Sequence, residues 1–415
     1  MKYGLIAEHL GHSFSKEIHS MIADYDYELC ELSANDVDGF MTERKFSAIN
    51  VTIPYKQTVI PYLDFISEQA REIGAVNTVV NRDGRLCGYN TDFFGMTELI
   101  NHAGVKIKGK KVMILGSGGT SKTAIAVVRS LGAREILVVS RRNRDGFATY
   151  EEAYEKHTDT DVIINTTPVG MFPKINQKAI DISAFPRLSG VIDAVYNPIR
   201  TQLVSDALER GVAAEGGLYM LVAQAVAACG IFMDKCIPDG TTERVYKRLS
   251  ADKENIVLVG MPASGKTTIG KLVAQKMARP FYDLDEEIVK YTKKTIPEIF
   301  DEAGEAGFRD IETKVLFERI AGVSGSVIAT GGGAILRKEN VNALKNNGRL
   351  YFLNRPLDQL VPTADRPTAS SRQAIERRYN ERLPIYKNVS DVELLTDGVA
   401  ENTTAQVIAE HYKEV

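Results

Sequence analysis

The sequence predicts an α/β protein with more than one domain, and three observations support this fold class. Apolar runs of strand length alternate with helix-length segments along most of the chain, a pattern typical of βαβ units with mainly parallel sheets. The 415 residues exceed what a single hydrophobic core usually serves. Two glycine-rich segments each follow a strand-like run and precede a helical pattern, an arrangement that suits the phosphates of nucleotides.

The composition is that of an ordinary globular protein. Apolar residues make up 44%, charged residues 25%, and the formal net charge is −3, so neither disorder nor a nucleic-acid partner is expected. The longest apolar stretch, residues 218–233, is too short to span a bilayer. The N-terminus lacks the pattern of a signal peptide, and the four cysteines include no CxxC pair. We therefore expect a cytoplasmic protein with small-molecule substrates and no membrane partner.

The strand-like runs form three groups along the chain. The first group covers residues 2–7, 27–32 and 47–52; the second covers 111–115, 135–140, 161–165 and 190–195; the third covers 255–259, 326–329 and 349–353. A segment rich in charged side chains, residues 239–254, separates the last two groups and indicates a solvated helix that runs into a linker. We place a domain boundary near Ala251.

Polar side chains gather in four short segments of the N-terminal part. These segments contribute hydroxyl, amide, amino and carboxylate groups: Ser13, Ser15, Thr52, Lys56, Asn77 and Asp92. Ser13 and Ser15 share one side of the chain if it is extended. Taken singly, such residues are more often turns or caps, but together they favour a pocket for a hydroxylated acid.

A glycine-rich loop follows the run 111–115. Gly116-Ser117-Gly118-Gly119-Thr120 opens a predicted helix, although a strict GxGxxG would need glycine in place of Ser121. A tight turn without a cofactor is the alternative. The next strand ends in Ser140-Arg141-Arg142 rather than in an acidic residue. Two cations would attract the 2′-phosphate of NADP, whereas an NAD site would place a carboxylate there.

These segments, together with Asn165-Thr166-Thr167-Pro168-Val169-Gly170-Met171 and Tyr196-Asn197-Pro198, resemble the shikimate dehydrogenase family over residues 1–248. The resemblance implies a substrate-binding domain over residues 1–98, a Rossmann-like NADP domain over 99–216, and helices at about 217–248 that return to the first domain. It implies these substrate contacts: Ser13, Ser15, Thr52, Asn77, Asp92, Tyr196 and Gln224. For NADP it implies Gly116, Ser117, Gly118, Gly119, Thr120, Ser140, Arg141, Arg142, Ala194 and Gly217.

The resemblance also implies that Lys56 and Asp92 form the catalytic pair. Hydride delivery to a carbonyl produces an alkoxide that needs a proton, which a lysine ammonium can donate. Asp92 would orient Lys56. The alternative is an ordinary surface ion pair.

The second glycine-rich loop matches a nucleoside triphosphate motif. Gly260-Met261-Pro262-Ala263-Ser264-Gly265-Lys266-Thr267 fits GxxxxGK[ST] between a strand-like run and a helical pattern. Backbone N–H groups of such a loop bind phosphate oxygens, Lys266 neutralises their charge, and the Thr267 hydroxyl binds Mg²⁺. We expect the nucleotide to contact Ala263, Ser264, Gly265, Lys266, Thr267 and Thr268. A glycine-rich turn that happens to contain a lysine is the alternative.

Groups for a phosphoryl acceptor follow this loop. Asp283 and Asp285 stand two residues apart at a predicted strand end, Gly331-Gly332-Gly333 follows a strand, and several arginines can grip a carboxylate or phosphate. This pattern resembles shikimate kinase over residues 255–395. The resemblance implies that shikimate contacts Asp285, Arg309, Gly332 and Arg382, and that Arg366 closes on the phosphates. Asp283 would join Thr267 at the metal, and Lys266 and Asp285 would be catalytic. Ala263 stands where that family usually has another glycine.

The two resemblances predict one chain with two consecutive activities. A dehydrogenase domain pair would be joined through residues 249–254 to a P-loop NTPase domain of the nucleoside monophosphate kinase type at 255–415, with NADP(H), ATP and Mg²⁺ as cofactors. Shikimate dehydrogenase produces the hydroxyl that shikimate kinase phosphorylates. The alternatives are a quinate/shikimate dehydrogenase with a kinase for a related hydroxy acid, a metabolite sensor that kept both folds, and a chain in which one half is inactive.

Overall fold

The computed structural model of the chain describes residues 1–11, 13–141, 146–360 and 371–414. It contains two compact units: unit 1 comprises Met1–Met171 and Gln177–Leu249, and unit 2 comprises Phe172–Asn176 and Ser250–Val415. Of residues 249–254, which were expected to form a linker, all but the last belong to the helix Thr241–Lys253. In the described part of the chain, no helix combines the length and apolar character that a bilayer crossing requires.

The N-terminal part of unit 1 forms a six-stranded sheet in the order β2-β1-β3-β5-β6-β4. Its strands are β1 (Tyr3–Ala7), β2 (Tyr27–Glu31), β3 (Ala48–Val51), β4 (Phe65–Ile66), β5 (Thr78–Arg82) and β6 (Arg85–Tyr89). Its helices are α1 (Ser15–Ile22), α2 (Val37–Glu43) and α3 (Glu68–Ile73), with a 3-10 turn at Ile60–Tyr62. The sheet is mixed, because β5 is antiparallel to both β3 and β6. Asp83 and Gly84, both at positive φ, make the tight β5–β6 turn.

A second sheet in unit 1 is entirely parallel and has the order β11-β10-β9-β7-β8. Its strands are β7 (Lys111–Leu115), β8 (Glu135–Val139), β9 (Val162–Asn165), β10 (Gly190–Asp193) and β11 (Ala213–Glu215). The helices α4 (Asp92–His102), α5 (Gly119–Ser130), α6 (Tyr150–Lys156) and α7 (Gln202–Glu209), and a 3-10 turn at Ile182–Ala184, accompany it. The strand order reverses between β7 and β9, the point where doubly wound sheets bind their ligands.

Two C-terminal helices complete unit 1, namely α8 (Leu218–Met233) and α9 (Thr241–Lys253). Helix α8 is apolar almost all round, and ten of its residues are buried, as expected of a helix enclosed by other elements. It packs against α4 and α1. A Cβ at Gly95 of α4 would lie 2.7 Å from the carbonyl oxygen of Met220, so glycine permits the close approach of the two helices.

Unit 2 contains a five-stranded parallel sheet in the order β13-β14-β12-β15-β16. Its strands are β12 (Asn255–Val259), β13 (Phe281–Asp283), β14 (Val327–Ala329), β15 (Gly348–Asn354) and β16 (Val392–Leu395). Its helices are α10 (Lys266–Met277), α11 (Leu284–Thr292), α12 (Ile296–Val315), α13 (Lys338–Asn347), α14 (Arg372–Val389) and α15 (Glu401–Glu414). Short turns lie at Leu316–Ile320, which is π-helical, and at Ala334–Leu336 and Leu357–Gln359, which are 3-10.

The sheet of unit 2 is covered by apolar side chains on both faces. The central strand β12 is fully buried, as parallel strands between two helical layers must be. Helix α12 is interrupted at Gly304, which has φ 67° and ψ −176°. The second helical segment begins at Glu305, and its side chains do not continue the helical register of the first segment. The fold is thus α/β throughout, as the sequence predicts.

Candidate active sites

Lys56 and Asp92 lie in contact in unit 1. The Lys56 Nζ donates to the Asp92 Oδ2 over 2.5 Å, and the two side chains are 16% and 11% exposed. Lys56 lies on the loop after β3, and Asp92 is the first residue of α4. The helix N-terminus stabilises the carboxylate. The structure thus joins two groups that stand 36 residues apart in the sequence.

Asn77 fixes the second carboxylate oxygen of Asp92. Its amide Nδ2 donates to Asp92 Oδ1 over 2.9 Å, while its Oδ1 accepts from the Thr91 backbone N–H at 2.7 Å. Asn77 is buried, and so are Asn50 and Thr78, whose side chains hydrogen-bond to each other. Each oxygen of Asp92 therefore has a donor, and the carboxylate has a defined orientation toward the lysine.

The other predicted substrate contacts in unit 1 lie on loops and helices around this pair. Ser15 is buried at the start of α1, and its N–H donates to the Ser13 hydroxyl over 3.3 Å. The ring of Phe14, between them, meets the ring of Tyr196 edge-on with centroids 5.4 Å apart. Thr52 directly follows β3. A Cβ at Gly95 would lie 3.0 Å from the Gln224 Cβ, so Gln224 faces α4 close to its first turn.

The first glycine-rich loop connects β7 to α5. Gly116 has φ 107°, and a Cβ there would lie 2.8 Å from the Thr166 hydroxyl, so this position requires glycine. At Gly118 and Gly119 a Cβ would meet no atom within 4 Å. The space in front of the α5 N-terminus is therefore open, and helix N-termini in such loops attract phosphates.

The remaining residues predicted for NADP divide between this loop and a second one. The hydroxyls of Ser117 and Ser140 are 3.4 Å apart, and Arg141, which follows Ser140 in the sequence, is exposed. A Cβ at Gly217 would lie 2.3 Å from the Ala194 carbonyl oxygen, so the backbones of these two residues are in close contact. Arg142 lies outside the described residues.

Asp193, which no sequence motif marks, connects the last residue of β9 to the loop after β10. Its Oδ1 accepts from Asn165 Nδ2 at 2.9 Å and from the Val195 N–H at 3.0 Å, and its Oδ2 accepts from the Thr201 hydroxyl at 2.6 Å. Burial raises the pKa of Asp193 to about 6, although the three donors act in the opposite direction. An acidic residue at the end of an apolar strand was the only sequence signal.

The second glycine-rich loop wraps around the side chain of Lys266. The Lys266 Nζ donates to the carbonyl oxygens of Gly260 and Met261 at 2.9 and 2.8 Å. Gly260 and Gly265 have φ values of 155° and 88°, and Ala263 has φ 65°. A non-glycine residue in this left-handed region is strained by about 1 kcal/mol or more. This strain is a physical reason why glycine suits position 263.

Thr267 and Asp283 form a polar pair beside this loop. The Thr267 hydroxyl donates to the Asp283 Oδ2 over 2.6 Å, and the Asp283 Oδ1 caps α11 by accepting from the Asp285 N–H at 3.0 Å. Hydroxyl and carboxylate oxygens are the ligands that Mg²⁺ prefers, with water completing its octahedron. The donor set therefore fits Mg²⁺. Thr268 is exposed in the first turn of α10.

The predicted acceptor residues surround the glycine triplet. A Cβ at Gly331 would lie 2.9 Å from Asp285 Oδ1, and one at Gly333 would lie 2.1 Å from Arg309 Nη2. The Gly332 carbonyl accepts from Arg382 Nη1 at 2.9 Å. The same residue abuts the phosphate loop, because a Cβ at Gly332 would lie 2.7 Å from Pro262 Cδ. Asp285, Arg309 and Arg382 therefore lie against the glycine triplet, and Gly332 of that triplet lies against the phosphate loop. Arg366 lies outside the described residues.

Glu312, which likewise stands in no sequence motif, is fully buried against Arg309. Its Oε2 accepts from Arg309 Nη1 over 2.7 Å, and its Oε1 lies toward Gly331, where a Cβ would approach it to 2.7 Å. Burial raises the pKa of Glu312, while Arg309 acts in the opposite direction. Arg309 and Glu312 stand three residues apart on α12, and this i,i+3 spacing was a possible sequence signal for the pair.

These geometries define the class of the protein, an α/β chain that combines a dinucleotide-type domain with a P-loop domain. Unit 1 has a parallel sheet with a dinucleotide-type loop at its switch point and a lysine–aspartate pair nearby. Unit 2 has the triphosphate loop of P-loop proteins beside an arginine-rich pocket.

The comparisons with known proteins agree with this class. The family model for the shikimate dehydrogenase substrate binding domain matches residues 5–79, and the model for shikimate kinase matches residues 262–413. Shikimate dehydrogenase (NADP(+)) of Clostridium beijerinckii is 36% identical over 262 residues, which are 59% of this chain and 96% of that protein. The Clostridium perfringens protein of the same name is 34% identical over 264 residues, covering 60% and 97%.

Solved structures give the same result for unit 1. Shikimate dehydrogenase 1 from Peptoclostridium difficile has a TM-score of 0.56 at 34% identity, covering 60% of this chain and 98% of that one. A chorismate mutase/shikimate 5-dehydrogenase fusion protein from Clostridium acetobutylicum has a TM-score of 0.56 at 36% identity, covering 60% and 96%. The chain belongs to the shikimate dehydrogenase family, and residues 262–413, after the dehydrogenase part, match the shikimate kinase family model.

Proposed function

We propose that the chain catalyses two steps of the shikimate pathway. Unit 1 reduces 3-dehydroshikimate to shikimate with NADPH, and unit 2 transfers a phosphoryl group from Mg-ATP to the 3-hydroxyl of shikimate. The contact of Lys56 with Asp92 carries the first assignment. The second is carried by Gly332, which touches the phosphate loop on one side and accepts from Arg382 on the other.

In unit 1 the protein would donate a proton to the substrate, and would accept it in the reverse direction. When bound, NADPH supplies a hydride to the substrate carbonyl, so the carbonyl oxygen gains negative charge. The Lys56 ammonium can donate a proton to that oxygen, and in the reverse direction the amine can take it back. Asp92 holds the ammonium in place at 2.5 Å, and Asn77 holds Asp92. Positioned acids of this kind contribute about 10²- to 10⁴-fold in rate.

NADP is favoured over NAD at the first loop. The strand β8 ends without an acidic residue, and Arg141 follows Ser140 there. The shikimate 5-dehydrogenase of Thermus thermophilus, with a TM-score of 0.54 at 26% identity, was solved in complex with NADP(H) and shikimate. A carboxylate at the end of β8 would repel a 2′-phosphate, whereas Arg141 would attract it.

In unit 2 the protein would position two anions and accept a proton. Lys266, now bonded to loop carbonyls, would turn to the phosphates of ATP. Thr267 and Asp283 would hold Mg²⁺, which neutralises phosphate charge when bound. Asp285 would accept the proton of the attacking hydroxyl, while Arg309 and Arg382 would grip the carboxylate of shikimate. Catalysis here is mainly positioning and charge stabilisation.

The proposal is tested by assaying the two activities separately in the full chain. NADPH consumption is measured with 3-dehydroshikimate, and ADP formation with shikimate and Mg-ATP. We expect Lys56→Ala to abolish only the first activity and Asp285→Ala only the second. The exposed residues Lys45 and Asp301 provide the matched alanine controls, which should retain both. Oxidation of quinate with NAD at a higher kcat/KM than of shikimate with NADP would instead favour a quinate-directed enzyme.

A further inference from the structure

Three arginines of unit 2 converge on one exposed carboxylate. Glu305 Oε1 lies 3.4 Å from Arg309 Nη2 and 3.7 Å from Arg382 Nη2, and Glu305 Oε2 lies 3.3 Å from Arg378 Nη2. Arg309 and Arg382 are the two residues that the proposed function assigns to the carboxylate of the acceptor. Glu305 is therefore within ion-pair distance of both arginines that the substrate must engage.

The two glutamates beside these arginines differ in burial and distance. Glu312 is fully buried and pairs with Arg309 Nη1 at 2.7 Å, so it is a permanent structural partner. The Glu305 side chain is 44% exposed, and its three contacts are all longer. A solvated carboxylate with long contacts loses little when it moves into water, so Glu305 is the partner that can be displaced.

The interruption of α12 positions Glu305 for this role. Gly304 has a left-handed φ of 67°, and a Cβ there would meet no atom within 4 Å. Glycine is therefore favoured here by the backbone conformation and not by lack of space for a side chain. Glu305 then starts the second helical segment, where the helix dipole favours an acid. Glu305, Arg309 and Glu312 follow at i, i+4 and i+7 and share one face.

The arginines require an anion whether or not the acceptor is present. Burial lowers the pKa of the Arg382 guanidinium, and the positive charges of Arg309 and Arg378 act in the same direction. The carboxylate of Glu305 opposes them. Like charges packed this closely in a buried pocket repel strongly without a counter-ion.

We propose that Glu305 occupies the carboxylate subsite of the acceptor in the ligand-free protein, and that Arg378 is a positioning residue that holds Glu305 aside when the acceptor enters. This inference rests on the proposed kinase function of unit 2. On acceptor binding, Arg309 and Arg382 exchange Glu305 for the substrate carboxylate. Arg378 keeps its contact with Glu305 Oε2 and neutralises the displaced charge. The pair Glu305–Arg378 then sets the KM of the acceptor without entering the phosphoryl-transfer step.

The test is a double-mutant cycle on ADP formation with shikimate as the varied substrate. Glu305→Gln removes the competing charge, so we expect the KM of shikimate to fall about two- to fivefold, the range that exposed ion pairs imply, with kcat unchanged. Arg378→Gln should raise this KM by a similar factor in the wild-type background. In the Glu305→Gln background it should have no effect, because no charge remains to be held aside.

The control variant is Glu302→Gln, which removes another exposed glutamate charge from the same helix; the Glu302 side chain is 57% exposed and pairs with Lys294 instead. It should leave the KM of shikimate unchanged. An unchanged kcat for ADP formation shows that unit 2 of each variant is folded, and NADPH-dependent reduction shows the same for unit 1. A rise in KM for Glu305→Gln would overturn the inference, since Glu305 would then bind the acceptor. An equal effect of Arg378→Gln in both backgrounds would also overturn it, since Arg378 would contact the acceptor directly. A wild-type chain that forms no ADP with shikimate would instead refute the proposed kinase function itself.

Discussion

The glycine triplet of unit 2 offers a sharp test of how Arg309 is held. In Gly333→Ala, the new Cβ would lie 2.1 Å from Arg309 Nη2, 2.2 Å from Cζ and 2.5 Å from Nη1. Gly333 has φ −117° and ψ 0°, which alanine tolerates. The backbone therefore keeps its conformation, and the guanidinium must move away to relieve the contact.

The size of the effect follows from these distances. Ordinary van der Waals contact begins at 3.4 Å, so the guanidinium carbon must move by more than about 1 Å from its present 2.2 Å. Such a shift breaks the geometry of a charge-assisted hydrogen bond, which is worth about 1.5–3 kcal/mol. We expect kcat/KM for shikimate in the kinase reaction to fall about 10- to 150-fold, mainly through KM.

The assay compares ADP formation by the wild type, Gly333→Ala, Arg309→Ala and the double variant. If both changes act through the same guanidinium, the double variant should lose little more than Arg309→Ala alone. NADPH-dependent reduction of 3-dehydroshikimate by the same preparations should be unchanged. A loss of less than about threefold in Gly333→Ala would refute the assignment of Arg309 to the acceptor, because a misplaced guanidinium could not then matter to binding.

Three further predictions concern other contacts. Lys56→Met removes the proposed proton donor, so the rate of NADPH oxidation should fall about 10²- to 10⁴-fold while ADP formation persists; a smaller loss at saturating substrate would exclude general-acid catalysis by this lysine. Asp283→Asn weakens the oxygen pair with Thr267, so the Mg²⁺ concentration for half-maximal kinase activity should rise severalfold, and an unchanged Mg²⁺ dependence would argue against the site. Burial lowers the pKa of His19 from 6.5 to about 3, so folding disfavours its protonation. Its contribution to stability is complete above pH 6.5 and is lost as the pH falls toward about 3, by up to about 1.4 kcal/mol per pH unit. In His19→Gln, the free energy of unfolding of unit 1, measured with urea, should depend less steeply on pH than in the wild type. An identical pH dependence would contradict the assignment.

Local patterns in the sequence predict most of the scaffold. Both glycine-rich loops stand between an apolar strand and a helix, as in β7 to α5 and β12 to α10. Strand periodicity and loop composition are properties of neighbouring residues, so they need no knowledge of the fold. The small strand β4 and the antiparallel β5–β6 pair were not predicted, because short strands form only when a sheet edge is present to pair with.

Site residues could be predicted only where a motif marks them. Lys56, Asp92, Asp285 and Arg309 stand in recognisable patterns. The pairing of Lys56 with Asp92 was expected only from the family resemblance, because no local pattern brings together two groups that stand 36 residues apart. Asp193 was missed, since its role depends on donors from β9 and from two positions of the loop after β10. Such hydrogen-bond networks can be recognised only in the folded structure, where segments distant in sequence come together.

The sequence by itself determined the fold class, the two phosphate-binding loops and the types of groups available for proton and phosphoryl transfer. Tertiary structure alone decided which charges face each other: that Glu312 is a permanent partner of Arg309 at 2.7 Å, and that Glu305 is an exposed one shared with Arg378, 73 residues away. The physical reason is that burial and distance govern the strength of a charge interaction. Neither quantity is a property of neighbouring residues, so each exists only once the chain has folded.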